Sequence, residues 1–208
     1  MDAAGVRAAN VRRAISLELF TVAYMTFEGL AAIAIGVSTR SSSLETFGLD
    51  SLIELASGLV LLWRLNAEWK GDASGPVERV ERKAARLAGL SLVVLAIYVA
   101  IQSLVTLVTQ SKPEPSLWGL ALALLSLVIM PLLARLKLRS ADLIQSRALH
   151  ADAYESIACA YLSFTLLLGL SANLLFGWWW ADPLAALVMV YFIVREAREA
   201  LSSREQEE

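Results

Sequence analysis

Residues 87–110 read LAGLSLVVLAIYVAIQSLVTLVTQ, an uncharged stretch that follows Arg86 and ends shortly before Lys112. The core of a lipid bilayer requires about 20 mostly apolar residues in each spanning helix, so this stretch is long enough to cross it. Residues 115–134 and 156–181 also contain no charged side chain. Three such stretches in one short chain indicate a membrane protein.

The composition of the whole chain agrees with this interpretation. Of its 208 residues, 57% are hydrophobic and 18% are charged, and the mean hydropathy is +0.59. These values argue against a disordered chain, a secreted disulfide scaffold and a soluble enzyme. The net charge of −2 gives no basis for nucleic-acid binding. One cysteine and one histidine cannot form an intramolecular disulfide or a zinc finger, so any metal site would consist largely of carboxylates.

Between its charge clusters the chain divides into six apolar segments, which we predict to be the helices of an all-α polytopic membrane protein. They cover approximately residues 17–39, 44–63, 87–110, 117–134, 149–175 and 178–194. Together they form one transmembrane domain, residues 1–200, with a linker at 66–83 and a charged cytoplasmic tail at 201–208. The sixth segment is the least apolar because Asp182 interrupts it. No small-residue cleavage site follows the N-terminal arginines, so we expect no removable signal peptide.

The positive residues predict the orientation of the six helices. With the N-terminus in the cytoplasm, sixteen of the eighteen basic residues lie inside and only Arg40 and Lys112 lie outside. Such a bias is typical of inner or plasma membrane proteins and places both termini in the cytoplasm. The inside set is Arg7, Arg12, Arg13, Arg64, Lys70, Arg79, Arg82, Lys83, Arg86, Arg135, Lys137, Arg139, Arg147, Arg195, Arg198 and Arg204.

Acidic residues inside the second and fifth segments indicate where function resides. A carboxylate in the middle of a spanning helix costs roughly 2.5–3.5 kcal/mol on insertion, which a partner, a proton or a cation must offset. Asp50 and Glu54 are four residues apart and therefore share one helix face. On the fifth segment, Asp152, Glu155 and Cys159 follow i, i+3, i+7 spacing, again on one face.

Depth in the membrane supports a shared site. With a rise of about 1.5 Å per residue, counted from the nearest cytoplasmic arginine, Glu54 lies ~15 Å deep and Asp50 ~21 Å. On the same scale Glu155 lies ~12 Å deep and Cys159 ~18 Å. We therefore predict that these four side chains form a tetrahedral site for a divalent cation such as zinc. The thiolate would favour Zn²⁺, Cd²⁺, Fe²⁺ or Co²⁺ over Mg²⁺ and Ca²⁺.

Three further polar residues are secondary candidates for a proton relay or for access to the site. Glu28 lies ~22 Å deep, level with Asp50, whereas Asp152 and His150 lie nearer the cytoplasmic end, at about 7 and 4 Å. For His150 an interfacial position is a better explanation than a ligand role. No cofactor is predicted, and the metal would be a transported substrate.

Around these residues the sequence resembles the transmembrane part of the cation diffusion facilitator family, six-helix exporters of zinc and related metals. Residues 50–54, DSLIE, are similar to the D-S-L-x-D pattern of the family's second helix. Residues 151–159, ADAYESIAC, keep the frame of its A-D-A-x-H-x-x-x-D pattern, with Glu155 for the histidine and Cys159 for the aspartate. Residues 180–187, WADPLAAL, are similar to the start of the family's sixth helix. Residues 47–58, together with the stretch from Asp182 onward, are similar to a short bacterial branch of cation transporters that lacks the C-terminal cytoplasmic domain.

The resemblance implies alternating access, metal/proton antiport and homodimerisation. It predicts a secondary transporter that exports a divalent metal, with Zn²⁺ the first choice and Fe²⁺, Co²⁺, Cd²⁺ and Mn²⁺ as alternatives. A second interpretation is a membrane protein that binds metal or modulates a partner without transport. An intramembrane enzyme is disfavoured because Ser51 and Ser156 have no histidine at helical spacing.

Overall fold

The computed structural model describes residues 3–70, 76–110, 114 and 116–202, and the described chain is all-α. Its helices are α1 (Ala3–Thr39), α2 (Ser42–Trp69), α3 (Pro76–Thr109), α4 (Leu117–Ile144), α5 (Arg147–Phe176) and α6 (Ala181–Ser202). The predicted all-α class is thereby confirmed for the described residues, and the orientation of the termini stays a prediction. Most of the predicted tail lies outside the described residues.

Five of these helices are long and apolar enough to cross a membrane: α1 from Ala9, α2, α3 from Leu92, α4, and α5 from Ala148. Large apolar side chains are exposed on several of them; Val94, Val108, Trp118 and Val128 are each more than 60% exposed. In a membrane protein this surface faces lipid tails rather than water. The sixth helix packs against α3 and α5.

Several helix ends differ from those predicted from hydropathy. α2 continues to Trp69 and α3 begins at Pro76, so most of the predicted 66–83 linker is helical. α4 continues past residue 134 to Ile144. Each predicted segment ended at a charged residue. A helix can continue past such a residue where it leaves the apolar core, or where the charged side chain has buried partners. At the start of the sixth segment, Trp178 to Trp180 form a turn and α6 begins at Ala181.

Serine side chains begin three of the helices. Ser41, Ser116 and Ser146 each have extended backbone angles and accept a hydrogen bond from the amide three residues later. This satisfies one of the amide groups that the first helical turn leaves unbonded. α5 ends at Gly177, whose φ of +65° places it in the left-handed region that favours glycine.

The most extensive packing joins α1 to α2, α4 to α5, and α3 to α6. At the α1–α2 interface, a Cβ atom on Gly48 would lie 2.9 Å from the carbonyl oxygen of Gly29 and 2.8 Å from the amide nitrogen of Ile33. Only glycine therefore allows the two backbones to approach this closely, as is typical of helix pairs in membranes. This contact fixes the position of the α2 acids relative to α1.

Candidate functional site

The two acids of α2 lie inside the bundle. Asp50 and Glu54 expose 4% and 8% of their surface, one helical turn apart. The carboxyl group of Asp50 interacts electrostatically with that of Glu54, as the spacing in the sequence led us to expect. Both side chains therefore face the interior of the bundle and not the lipid.

Reciprocal serine contacts join α2 to α5. Ser57 of α2 donates a hydrogen bond to Glu155 of α5, with oxygen–oxygen distances of 3.1 and 3.4 Å to its two carboxylate oxygens. Ser156 of α5 lies 3.4 Å from Glu54 of α2 and donates in the opposite direction. The acid of each helix thus faces the serine of the other, and the two acid-bearing faces lie against one another.

Glu28 brings α1 into the same region. Its side chain is fully buried, and it accepts hydrogen bonds from Tyr24 at 2.9 Å and from Ser51 at 3.2 Å. The thiol sulfur of Cys159 lies 3.9 Å from Glu28 Oε2. Glu28 therefore contacts both α2 and α5, and its carboxylate also interacts electrostatically with Asp50.

Carboxyl groups from three helices face this interior region, since Asp50 interacts electrostatically with Glu28, Glu54 and Glu155. Among the described residues, however, no three His, Cys, Asp or Glu side chains are grouped closely enough to hold a metal ion. Binding at Asp50, Glu54, Glu155 and Cys159 would require their side chains to move closer together. The four-ligand site therefore stays a prediction.

A buried ion-pair triad lies beside this region. Lys137 of α4 is completely buried, with its ammonium nitrogen 3.2 Å from Glu18 Oε2 of α1 and in direct contact with Asp152 Oδ2 of α5. The same nitrogen lies 3.5 Å from the hydroxyl oxygen of Ser156, which in turn donates to Glu54. The triad of Glu18, Lys137 and Asp152 is thereby connected to the acids of α2.

The triad was not found from the sequence. The distribution of positive residues places Lys137 in the cytoplasmic set, and Glu18 is not among the predicted site residues. In the structure Lys137 lies within α4 and its side chain is buried among helices, so it does not lie in the loop expected after residue 134. The signal available was its position: Lys137 follows an apolar segment at helical spacing from Met130, Leu133 and Ala134, all of which are buried.

The two secondary candidates at the start of α5 have different surroundings. His150 is 36% exposed and lies 3.0 Å from Asp142, which is itself 70% exposed. The interfacial position of the histidine stays a prediction. Asp152 is 4% exposed and its carboxylate is paired with Lys137, so it is not open to solvent as an access residue would be.

A separate polar cluster lies at the opposite end of the bundle, where α2 and α6 begin. Asp182 is fully buried and accepts a hydrogen bond from the hydroxyl of Ser41 at 2.6 Å and another from that of Ser43. The amide nitrogen of Ser43 lies 3.4 Å from the second carboxylate oxygen. This carboxylate ties the start of α6 to the start of α2, which explains why Asp182 interrupts an otherwise apolar segment.

A model of the cation efflux transmembrane domain matches residues 19–204, nearly the whole chain. The chain belongs to the cation efflux family. This confirms the resemblance to cation diffusion facilitators, and it identifies the protein as a multi-pass membrane protein of a cation transporter family.

Two curated relatives share about a quarter of their aligned residues with this chain. The chain is 27% identical over 152 residues to an uncharacterized transporter of Synechocystis sp., an alignment that covers 72% of this chain and 49% of the relative. It is 24% identical over 157 residues to Transmembrane protein 163 of Xenopus laevis, covering 76% of this chain and 54% of that protein. The chain thus spans about half the length of these relatives.

Proposed function

We propose that this cation efflux protein exchanges a divalent transition-metal cation for protons across the inner or plasma membrane, with Zn²⁺ as the first-choice substrate. The observation that carries the proposal is the reciprocal contact of α2 and α5, in which Ser57 donates to Glu155 and Ser156 donates to Glu54. This contact directs the acids of both helices to one interior region. Family membership supports a transported cation.

The donor set supports the choice of metal. Asp50 and Glu54 supply carboxylates and the buried thiol of Cys159 supplies a sulfur, which Zn²⁺ and Cd²⁺ accept more readily than Mg²⁺ or Ca²⁺ do. A carboxylate and a thiolate from α5 together with the two acids of α2 would satisfy the four-coordinate geometry of zinc. Fe²⁺, Co²⁺ and Mn²⁺ are alternative substrates.

Charge balance supports exchange for protons. Three carboxylates and one thiolate would place four negative charges in a region of low dielectric, which mutual repulsion opposes. The empty site therefore retains protons, and a divalent cation displaces them because only the deprotonated groups are ligands. An inward proton gradient would then drive export of the metal.

Flux through proteoliposomes tests the proposal. Purified protein is reconstituted with a zinc-sensitive dye inside the vesicles, and Zn²⁺ uptake is followed with and without a pH gradient. The parent should carry Zn²⁺, the gradient should change the rate, and Asp50→Asn should lower the flux at least tenfold. Glu45→Gln is the matched control, since Glu45 is an α2 acid that faces Tyr98 and lies outside the proposed site.

The rival interpretation is a membrane protein that binds metal, or modulates a partner, without transporting it. Such a protein would bind Zn²⁺ in detergent but give no flux in vesicles of the purified chain. Homodimerisation, which the family resemblance implies, is a further expectation, and cross-linking in native membranes would test it.

A further inference from the structure

The ion-pair triad of Glu18, Lys137 and Asp152 contains a positive charge that the chain itself supplies. The ammonium group of Lys137 lies between two carboxylates from different helices, 3.2 Å from Glu18 and in contact with Asp152. The Lys137 and Glu18 side chains are 0% exposed and the Asp152 side chain is 5% exposed, so the ion pairs lie in the protein interior. Two carboxylates facing one buried point are the donors that a hard divalent cation would use.

Both carboxylates depend on Lys137. Among the described residues, the four carboxylate oxygens of Glu18 and Asp152 are buried, and their side-chain contacts are with the ammonium group and with each other. Neither acid is held by a serine, in contrast to Glu28, Glu54 and Glu155. Without the ammonium group, two uncompensated carboxylates would face each other in the protein interior, where an unpaired charge is costly.

The surrounding backbone makes space for this arrangement. Gly58 of α2 lies against Glu18, and a Cβ atom at this position would lie 2.6 Å from Glu18 Oε1. The absence of a side chain at Gly58 allows the Glu18 carboxylate to occupy its place beside α2. The triad is therefore accommodated by four helices, α1, α2, α4 and α5.

We propose that Lys137 is a specificity-determining residue that acts as a built-in cation, occupying a carboxylate pair that would otherwise bind a second metal ion. Ser156 connects the triad to Glu54, because its hydroxyl contacts both Lys137 and Glu54. A metal ion bound between Glu18 and Asp152 would reduce the negative charge that attracts the transported ion to its own site. Lys137 thus limits the chain to one transported ion at a time. This last step rests on the proposed transport function.

Binding of Mn²⁺, measured by electron paramagnetic resonance at pH 8, tests the proposal, since Mn²⁺ prefers oxygen ligands and its spectrum reports the free ion. Lys137→Met should bind one more Mn²⁺ per chain than the parent. Lys137→Arg, which keeps the positive charge, should bind the same number as the parent. The double variant Lys137→Met with Glu18→Gln, which leaves one carboxylate, should lose the additional ion.

A second background separates this proposal from the proposed function. In Asp50→Asn with Cys159→Ser, where two predicted ligands of the transported ion are removed, Lys137→Met should still gain one Mn²⁺. That gain would hold even if the parent proved not to transport metal. Should the methionine variant fail to fold, Lys137→Gln carries the same expectation with an uncharged polar side chain. A folded variant without the ammonium group that binds no more Mn²⁺ than the parent overturns the proposal.

Discussion

The thiol of Cys159 lies 3.9 Å from the carboxylate of Glu28, so the one sulfur of the α5 acid face is directed toward α1. The sequence placed Cys159 and Glu155 on one helix face, but their first contacts differ: Glu155 accepts a hydrogen bond from Ser57 of α2. In this structure the thiol therefore contacts Glu28 of α1 and the Glu155 carboxylate contacts α2. This contact makes the role of the sulfur testable.

Replacing the sulfur should change which metal is preferred. Cys159→Ser is nearly isosteric and removes only the soft donor, so folding should change little. The ratio of Cd²⁺ to Mn²⁺ affinity should fall by roughly tenfold, which corresponds to about 1.4 kcal/mol. Competition binding on the purified protein measures this ratio. An unchanged ranking of ions would mean that Cys159 packs in the core and binds no metal.

Neutralising the α2 acids should stop transport without unfolding the protein. Asp50→Asn and Glu54→Gln keep the size of the side chains but remove a ligand charge, so Zn²⁺ flux should fall at least tenfold, the effect of about 1.4 kcal/mol. Melting temperatures in detergent should stay close to that of the parent because the substitutions conserve the volume of the side chains. Glu45→Gln should retain parental flux. Equal loss in all three variants would exclude a specific role for Asp50 and Glu54.

Metal binding should release protons and tighten as the pH rises. The reason is that acids and thiols must lose their protons before they can act as ligands. Calorimetric titration with Zn²⁺ in buffers of different ionisation enthalpy gives the number released. Glu155→Gln should release fewer protons than the parent. A binding enthalpy that does not depend on the buffer would contradict proton exchange at this site.

Gly58→Ala should destabilise the protein. The added methyl group would lie 2.6 Å from Glu18 Oε1, and moving that carboxylate also disturbs its ion pair with Lys137. Overpacking of this kind costs typically about 1–3 kcal/mol. Thermal unfolding in detergent should show a lower midpoint, and adding Glu18→Ala should restore part of it by freeing the space. Ala56→Leu, on the exposed side of the same helix, serves as the control and should leave the midpoint unchanged.

Apolar periodicity and charge placement predicted the six helices and the acid positions of α2 and α5. Those features depend on spacing along one helix, which the sequence contains directly. Helix ends were less well predicted, because α2 and α4 continue past the charged residues that were expected to end them. The rule that charges end a membrane helix fails where a charged side chain such as Lys137 has buried partners on other helices.

The sequence by itself determined that this is a helical membrane protein and that Asp50 and Glu54 share one face. Only the tertiary structure decided which residues meet across helices: Glu28 with Cys159, and Lys137 with Glu18 and Asp152. The physical reason is that the partners of a buried charge come from segments far apart in the chain. Their pairing depends on how closely the helices approach, and that distance is set by packing at residues such as Gly48 and Gly58.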